Sequence, residues 1–397
     1  MRGKTRKTKM RIAIFSDTFF PQINGVANVA YQSAKSLADL GHEVAVFVAS
    51  AQANKETVKN SGNFKVVFYP SMPAFVYPNE RAAFPVGISA SVQLMKFNPD
   101  IIHSHTPFSI GWAAIFAAKS SGAKLVGTHH TFYDHYLKHV KMDYDWGKKL
   151  SWKLTVGYYN FCDLVLSPTQ SLADGLVENG LGKPVKIFQN PIDTEIFAPV
   201  TKIKKDSLKK KFGIPGLSLV YMGRLSYEKS IDQAIMAFAL AVKNNPKIRL
   251  MLVGDGPEKA KLEQLCSDLK IADKVIFTGV LRDSELAEAL QANDAFITAS
   301  KSENMPLSVL EAMATALPVV AVSEKGLKEM IKDGVSGLLS PADNAEKMSE
   351  NILKIFSDAK LIKNMGAASR KSAEQYSGEN ITKSLEEIYK NILINKI

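Results

Sequence analysis

The strongest constraint on the fold is an alternation of short apolar strands with amphipathic helices, which runs through the chain twice. Residues 10–17, MRIAIFSD, form a β-branched apolar run, and apolar residues then recur at helical spacing from Val26 to Leu40. Gly41 follows where a helix C-cap glycine is expected, and HEVAVFVAS is typical of the next strand. Strands that are apolar on both faces and separated by helices predict a parallel sheet covered by helices on both sides.

The same pattern predicts further strands in both halves of the chain. In the first half they are FKVVFYP, PDIIHSH, AKLVGTHH, DLVLSPT and VKIFQN. In the second half they are LSLVYMGRL, IRLMLVGDG, KVIFTGVL, DAFITAS and LPVVAVS, with helices at about 230–244, 257–270, 283–292 and 304–315. We therefore predict an α/β protein made of two Rossmann-like, doubly wound parallel-sheet domains.

The boundary between the two domains is predicted at residues 189–199, QNPIDTEIFAP, where Asn190 and two prolines interrupt the pattern. The N-terminal domain then spans residues 1–192 and the C-terminal domain residues 193–378. A length of 397 residues allows each domain its own core. The final helix, residues 379–397, is a candidate to pack back on the N-terminal domain.

Composition and charge restrict the class of protein. The net charge of +11 is compatible with nucleic acid, an anionic membrane surface or a phosphorylated substrate as partner. The lysines are dispersed and no nucleic-acid-binding motif accompanies them, so nucleic acid is not an expected partner. Cys162 and Cys266 lie far apart with no C-x-x-C spacing, which fits a reducing cytoplasm. With neither a signal peptide nor a membrane-spanning run of about 18 apolar residues, we expect a cytoplasmic protein.

Two basic residues mark the first candidate site. In open parallel sheets, ligands bind outside the carboxyl ends of the strands. Arg224 follows the strand LSLVYMGRL, and Lys229 lies five residues later, near the start of the next helix. Two cations beside a helix N-terminus form a site suited to a diphosphate. The alternative is a surface pair that binds nearby acids such as Glu228.

The segment SENMPLSVLEAMA, residues 302–314, places two carboxylates around a helix start. Glu303 lies in the loop, Pro306 is expected in the first helical turn, and Glu311 is expected one to two turns into the helix. Carboxylates accept hydrogen bonds in pairs and so suit the vicinal hydroxyls of a hexose and a ribose. The alternative, a glutamate favoured by the helix dipole plus an incidental one, leaves Glu311 in an apolar helix unexplained.

Together the motifs GRLSYEKS, LVGDGP, FTGVL and SENMPLSVLEAMATALPVVA resemble the nucleotide-sugar half of retaining glycosyltransferases of family 4. The resemblance extends from about residue 10 to the C-terminus. It implies the GT-B fold, in which two Rossmann-like domains face a central cleft. It also implies a hexosyltransferase that uses a nucleotide diphosphate sugar with no cofactor and no metal. The D-x-D pattern at residues 143–145 lies in the acceptor domain, and we assign no metal to it.

The resemblance also assigns roles to donor-binding residues. Arg224 and Lys229 match the pair that holds the donor diphosphate, Glu311 the carboxylate that binds the ribose, and Glu303 the one that contacts the transferred sugar. The expected backbone contacts to the sugar and diphosphate come from Asn304, Met305, Pro306 and Leu307.

Two further matches lie in the first half. Gly25 matches a glycine that lets the phosphates approach closely, and His130 matches the active-site histidine. The expected role of His130 is a hydrogen bond near the anomeric centre as charge develops. His103 and His105 have positional support only. The sequence departs from the family pattern where Asn24 replaces the first of two glycines and where Pro306 replaces a frequent glycine, with loss of one N–H donor.

The acceptor is indicated by residues 130–140, HTFYDHYLKHV, which resemble a segment of bacterial enzymes that glucosylate diacylglycerol from UDP-glucose. The following segment, YDWGKKLSWKLTVGYYN, suits an anionic bilayer surface, although it could equally pack its aromatic rings into the core. The basic membrane helix expected before NPDIIHSH is poorly matched by FPVGISASVQLMKF. Candidate acceptor and membrane residues are Tyr133, Tyr136, Trp146, Lys148, Lys149 and Trp152.

We therefore expect a peripheral protein at the inner face of the cell membrane that transfers glucose from UDP-glucose to diacylglycerol or a related lipid. The alternative within the family is mannosyl or glucosyl transfer to a soluble or polyprenyl-linked saccharide in capsule or cell-wall assembly. A sugar-nucleotide epimerase of the same fold would not need the acceptor segment.

Overall fold

The computed structural model divides the chain into two compact units. Unit 1 comprises the chain up to Pro191 together with the segment from Gly378 onward, and unit 2 comprises Ile192–Ser377. The structure describes residues 9–22, 24–49, 62–73, 81–84, 87–133 and 144–395.

Unit 1 is built on a seven-stranded parallel sheet, and unit 2 on a six-stranded parallel sheet. In chain order the strands of unit 1 are β1 (Arg11–Ser16), β2 (Glu43–Ala49), β3 (Lys65–Tyr69), β4 (Ser71–Pro73), β5 (Arg81–Ala83), β6 (Ile101–Ser104), β7 (Lys124–Thr128), β8 (Leu164–Ser167) and β9 (Val185–Ile187). Those of unit 2 are β10 (Ser218–Met222), β11 (Arg249–Val253), β12 (Val275–Gly279), β13 (Ala295–Thr298), β14 (Val319–Val322) and β15 (Gly337–Ser340).

Helices cover both sheets. Within the described residues they are α1 (Gly25–Asp39), α2 (Ile88–Phe97), α3 (Ser109–Ser121), α4 (Asp145–Tyr159), α5 (Gln170–Glu178), α6 (Lys202–Phe212), α7 (Ile231–Asn244), α8 (Lys259–Asp268), α9 (Asp283–Ala292), α10 (Leu307–Ala314), α11 (Lys325–Met330), α12 (Ala345–Phe356), α13 (Ala359–Glu374) and α14 (Gly378–Leu393). No helix of this described part is long and apolar enough to cross a membrane.

The predicted fold class is confirmed, and the sequence pattern missed two features. The short strands β4 and β5 pair with each other as an antiparallel hairpin outside the main sheet. Strand β15, with the sequence GLLS, adds a sixth strand to unit 2 at the sheet edge beside β14. Both features were missed because their strands have three or four residues and too little β-branched character for periodicity to show.

Strand order determines where each unit can bind a ligand. The order is β3-β2-β1-β6-β7-β8-β9 in unit 1 and β12-β11-β10-β13-β14-β15 in unit 2. The direction of winding therefore reverses between β1 and β6 and again between β10 and β13. At such a switch point the two following loops diverge and leave a crevice at the carboxyl ends of the strands. The loops after β10 and β13 are those that carry Arg224, Lys229 and Glu303.

The last helix, α14, packs on the sheet of unit 1. The hydroxyl of Tyr389 lies 2.7 Å from Nδ1 of His103, and both side chains are completely buried. Near the amino end of β1, Nε2 of His42 lies 3.2 Å from Oε1 of Glu386. Two polar contacts in an otherwise apolar layer therefore define how α14 sits on the sheet.

We predict that Tyr389→Phe lowers the free energy of unfolding by about 1–3 kcal/mol, because Nδ1 of His103 loses its partner in a dry environment. Urea denaturation followed by circular dichroism measures this change. Lys383→Ala on the same helix is the matched control, because its ion pair with Glu379 is exposed and should contribute under about 0.5 kcal/mol. Equal effects from the two substitutions would show that the buried contact does not stabilise α14.

Candidate active site

The loop that carries Arg224 is held by the backbone of a neighbouring turn. The N–H of Gly223 donates to the carbonyl of Val253 at 3.0 Å, and that of Leu225 donates to Asp255 at 3.0 Å. A Cβ on Gly256 would lie 2.3 Å from the carbonyl oxygen of Leu225, so only glycine allows this approach. The LVGDGP motif thus supports the loop after β10 and leaves the Arg224 side chain exposed to solvent.

Lys229 pairs with Glu303. Its ammonium donates to Oε1 of Glu303 at 2.7 Å, and the side chains are only 20% and 14% exposed. The alternative partner, Glu228, instead accepts a hydrogen bond from the hydroxyl of Ser226 at 2.5 Å. Two predicted site residues 74 positions apart therefore meet in one place, which favours a shared binding site over a surface lysine paired only with its neighbour.

The Glu303 loop depends on a glycine that sequence analysis did not identify. The N–H of Gly326 donates to the carbonyl of Glu303 at 3.2 Å. A Cβ on Gly326 would lie 1.3 Å from the carbonyl oxygen of Asn304, which leaves no room for any side chain. Asn304 and Met305 are buried, and α10 begins at Leu307.

Pro306 lies one position earlier than predicted. It is the N-cap residue of α10 and not a member of its first turn, because its backbone is extended (ψ 125°). Its carbonyl still accepts from the N–H of Leu310 at 3.2 Å. The first N–H groups of α10 remain directed toward the crevice, as they are at any helix start.

Glu311 lies in the second turn of α10, where burial alone raises its pKa to about 7. The residue as a whole is only partly buried, while the helix positions around it are buried. No charge or hydrogen bond from the described residues opposes this rise in pKa. A desolvated carboxylate without a partner is suited to accept two hydrogen bonds from a diol.

In unit 1, His130 belongs to a buried histidine cluster. Its Nε2 lies 3.2 Å from Nδ1 of His105, and the two rings are nearly parallel. His103 lies beside them with both ring nitrogens hydrogen-bonded, one to Tyr389 and one to Thr128. Burial lowers the pKa of His130 to about 4, so this imidazole is neutral at pH 7.

Gly25 is the first residue of α1 and is exposed, with no atom within 4 Å of where its Cβ would lie. The preceding Asn24 caps the helix, since its side chain accepts from the N–H of Ala27 at 2.8 Å. The departure from the family pattern at Asn24 therefore has a local explanation as a favourable N-cap. The open space at Gly25 is compatible with close approach of a ligand.

The candidate acceptor residues divide into two groups. Trp146 and Lys149 are exposed and Lys148 is partly exposed. Trp152 is only partly exposed, and its ring packs into the aromatic layer against His129 and Phe132 at centroid distances of 6.2 and 6.3 Å. Tyr133 also lies in this layer, 5.4 Å from the ring of His129. Tyr136 lies outside the described residues.

Sequence reasoning also missed Asp17, at the carboxyl end of β1. Its carboxylate accepts from the hydroxyls of Thr106 and Ser109 and from the N–H of Ile110, at 2.5–2.9 Å. It therefore ties β1 to the start of α3. The only signal was a polar residue at the end of an apolar strand, which many strands share.

Two family models match the chain, "Glycosyl transferases group 1" over residues 204–372 and "Glycosyltransferase Family 4" over residues 23–196. The alpha-monoglucosyldiacylglycerol synthase of Streptococcus pneumoniae is 32% identical over 336 residues, which cover 83% of this chain and 75% of that protein. The protein of the same name from Acholeplasma laidlawii is 26% identical over 397 residues, with 97% and 98% covered.

More distant similarity extends to other activities. A GDP-mannose-dependent alpha-mannosyltransferase of Corynebacterium glutamicum is 28% identical over 336 residues, which cover 83% of this chain and 76% of that protein. Among solved structures, sucrose-phosphate synthase from Thermosynechococcus elongatus superposes with a TM-score of 0.81 at 19% identity, over 97% and 99% of the two chains. The structural likeness establishes the fold.

We predict that Glu311→Gln stabilises the protein at pH 8 by up to about 3 kcal/mol and has little effect at pH 5. The folded-state pKa of about 7 lies above the ordinary value of 4.5. The native carboxyl therefore stays protonated between these values, and stability falls as the pH rises through 7. Urea unfolding at both pH values measures the difference, with Glu379→Gln, a solvent-exposed glutamate, as control. A pH-independent effect of Glu311→Gln would contradict the raised pKa.

Proposed function

This chain belongs to glycosyltransferase family 4, a hexosyltransferase of GT-B fold, and we propose that it transfers glucose from UDP-glucose to diacylglycerol or a related membrane lipid. The observation that carries the choice of sugar and acceptor is the similarity to two alpha-monoglucosyldiacylglycerol synthases, one of them along nearly the whole chain. Retention of the anomeric configuration follows from the resemblance to the retaining enzymes of the family.

The geometry of unit 2 supports binding of the donor diphosphate. An ammonium has three N–H donors, so Lys229 is chemically suited to bind Glu303 and a phosphate oxygen together. Arg224 adds a second cation with an exposed guanidinium. Helix α10 begins just after the loop that carries Glu303. Cations and helix N–H groups stabilise the negative charge that grows on a departing diphosphate, which is the main catalytic contribution we assign to this unit.

Two carboxylates then bind the sugar rings of the donor. Glu303 is held in place by Lys229 and by the Gly326 backbone, which suits it to orient the hydroxyls of the transferred glucose. Glu311 lies two turns along α10 and suits the ribose diol. Binding a diol replaces lost hydration of the Glu311 carboxylate with two hydrogen bonds and so favours its ionised form.

His130 contributes a neutral imidazole from unit 1. Positive charge develops at the anomeric carbon as the bond to the diphosphate breaks. A neutral ring donates or accepts a hydrogen bond near that centre without repelling this charge. The lowered pKa of His130 keeps the ring neutral over the physiological pH range.

The lipid acceptor is supported by an exposed apolar face on α3 and α4, which we call the apolar face. At the N-cap of α3 and along the helix, Phe108, Trp112 and Phe116 recur every four residues and are 41–55% exposed. On α4, Trp146, Leu150 and Leu154 recur in the same way and are also exposed. The ring of Trp112 on α3 lies 5.8 Å from that of Tyr158 on α4 and 5.8 Å from that of Phe161, which follows α4. Aromatic side chains at this density on a surface are typical of an interaction site.

Charge around the apolar face favours an anionic membrane as its partner. Helices α2 and α3 contain no acidic residue, and α4 contains only Asp145. The ammonium of Lys119 lies 4.8 Å above the ring of Phe161. The exposed lysines around the face include Lys96, Lys119, Lys149 and Lys153. Apolar side chains bordered by lysines are suited to the interface of a bilayer with anionic lipids.

Helix α2 adds to this face, although sequence analysis set its segment aside as a poor match to a basic membrane helix. Ile88, Val92 and Met95 are all exposed on it. With a single lysine, α2 is apolar more than basic. We therefore propose that the protein is peripheral at the inner face of the cell membrane, with α2, α3 and α4 toward the lipid.

We predict that release of UDP from UDP-glucose rises several-fold when vesicles of phosphatidylglycerol containing diacylglycerol are supplied. The double substitution Trp112→Ser, Phe116→Ser should abolish this rise and weaken vesicle co-sedimentation, because it removes about 2–5 kcal/mol of apolar burial in the interface. Ile203→Ser, which alters an even more exposed apolar residue in unit 2, is the control.

A rate indifferent to lipid would remove the lipid acceptor from the proposal. Glucosyl or mannosyl transfer to an added saccharide, identified by product mass, would then support the alternative acceptor class. The similarity to a GDP-mannose-dependent enzyme makes GDP-mannose the second donor to include in the assay.

We also predict opposite effects from the two members of the ion pair. Lys229→Ala should weaken binding of UDP by roughly 10- to 100-fold, because a charge-assisted hydrogen bond to phosphate is lost. Glu303→Ala should leave UDP affinity unchanged or higher, since it releases Lys229, while glucosyl transfer falls by roughly 100-fold or more. Isothermal titration with UDP and a transfer assay separate the two effects.

The matched control is Lys301→Ala. Lys301 lies two positions before Glu303 in sequence and forms an exposed ion pair with Asp343. It should change neither UDP affinity nor transfer. If Lys229→Ala and Glu303→Ala weaken UDP binding to the same degree, the assignment of Lys229 to the diphosphate and of Glu303 to the sugar is wrong.

A further inference from the structure

His105 and His130 form a contact that the sequence did not predict. They follow the neighbouring parallel strands β6 and β7, which places both at the carboxyl edge of the unit 1 sheet. Nδ1 of His105 and Nε2 of His130 are 3.2 Å apart, and the ring planes differ by only 13°. His105 is fully buried, whereas His130 keeps 8% of its surface exposed. Only His130 of this pair therefore has access to a ligand.

The two rings share a single proton. Burial lowers the pKa of both imidazoles, so neither is charged at pH 7 and each carries one N–H. Either Nδ1–H of His105 donates to His130, or Nε2–H of His130 donates to His105. The two arrangements differ in which nitrogen His130 leaves protonated on its other side.

The remaining nitrogen of His105 decides between these arrangements. Nε2 of His105 is buried and has no hydrogen-bond partner among the described residues. If His130 were the donor, His105 would carry a buried N–H without an acceptor at this position. An orphaned buried donor is rarer than an orphaned acceptor, which favours the arrangement in which His105 keeps its proton on Nδ1.

The orientation of His105 is itself held by a third histidine. The ring of His103 lies 4.3 Å from that of His105. Its nitrogens contact Tyr389 on α14 at 2.7 Å and Thr128 on β7 at 2.6 Å. These two hydrogen bonds fix the His103 ring, which packs against His105.

We propose that His105 is a positioning residue whose Nδ1–H donates to Nε2 of His130, and that this bond fixes the ring plane of His130 and places its proton on Nδ1. His130 is then held as a single tautomer in a fixed ring plane. The catalytic consequence rests on the proposed function, in which His130 acts near the anomeric centre. The tautomer of His130 does not depend on the proposed function and can be tested without it.

The first experiment measures the tautomer directly on the full-length protein labelled with ¹⁵N-histidine. Loss of one signal set in His130→Gln assigns the His130 ring nitrogens. We expect shifts of an Nδ1-protonated neutral ring in the wild type. His105→Asn should preserve them, because its amide nitrogen can donate from nearly the position of Nδ1. His105→Leu should shift them toward a mixture of tautomers or to protonation at Nε2. A wild-type His130 protonated at Nε2, or no change in His105→Leu, overturns the proposal.

The second experiment measures transfer kinetics with the vesicle substrate. We expect His105→Leu to lower kcat roughly 10- to 100-fold with little change in KM for UDP-glucose, and His105→Asn to recover most of the loss. In a His130→Ala background, His105→Leu should cause no further loss, because His105 acts through His130. Additive losses, or equal losses in the Asn and Leu variants, would reduce His105 to a structural role.

The two experiments can refute the proposed function and the role of His105 independently of each other. Absence of turnover by the wild type with every nucleotide sugar would refute the proposed function while the tautomer result stands. Normal turnover with an Nε2-protonated His130 would refute the role of His105 and leave the proposed function intact.

Discussion

The ion pair between Lys229 and Glu303 is the contact on which the donor site of unit 2 depends. It joins the loops after β10 and β13, the two strands that flank the switch point of the sheet. A largely buried pair of opposite charges is tolerated only when each charge is compensated, so each residue holds the other in the crevice before any ligand arrives. The pair places a cation for phosphate next to a carboxylate for hydroxyls, and a nucleotide sugar presents both groups together.

Backbone contacts support this pair. Gly256 allows one turn to pack on the loop of Arg224, and Gly326 allows α11 to pack on the loop of Glu303. Both contacts leave no space for a Cβ, so the loops are held by main-chain atoms that cannot change rotamer. Such support reduces the motion of the charged groups and therefore the reorganisation needed when charge develops on the leaving diphosphate.

The sequence predicted much of the fold and of the donor site. The remaining features depend on contacts between segments that are distant in sequence. Strand and helix periodicity predicted the two parallel sheets, and motif spacing predicted Arg224, Lys229 and Glu303. The contact of His105 with His130 was not predictable, because it depends on which strands lie side by side. Gly326 was missed for the same reason, since a glycine acquires its role only when another backbone approaches it. The packing of Trp152 against His129 and Phe132 was left open by the sequence, because composition alone does not show which face of α4 is buried.

We propose above all that unit 2 binds a nucleotide sugar with cations on its diphosphate and carboxylates on its hydroxyls. A crystal structure of the protein soaked with UDP-glucose tests this claim most directly. We expect phosphate oxygens within hydrogen-bond distance of Lys229 and Arg224, the glucose hydroxyls on Glu303, and the ribose diol on Glu311. A donor bound elsewhere on the chain, or one whose diphosphate contacts neither cation, would contradict the account.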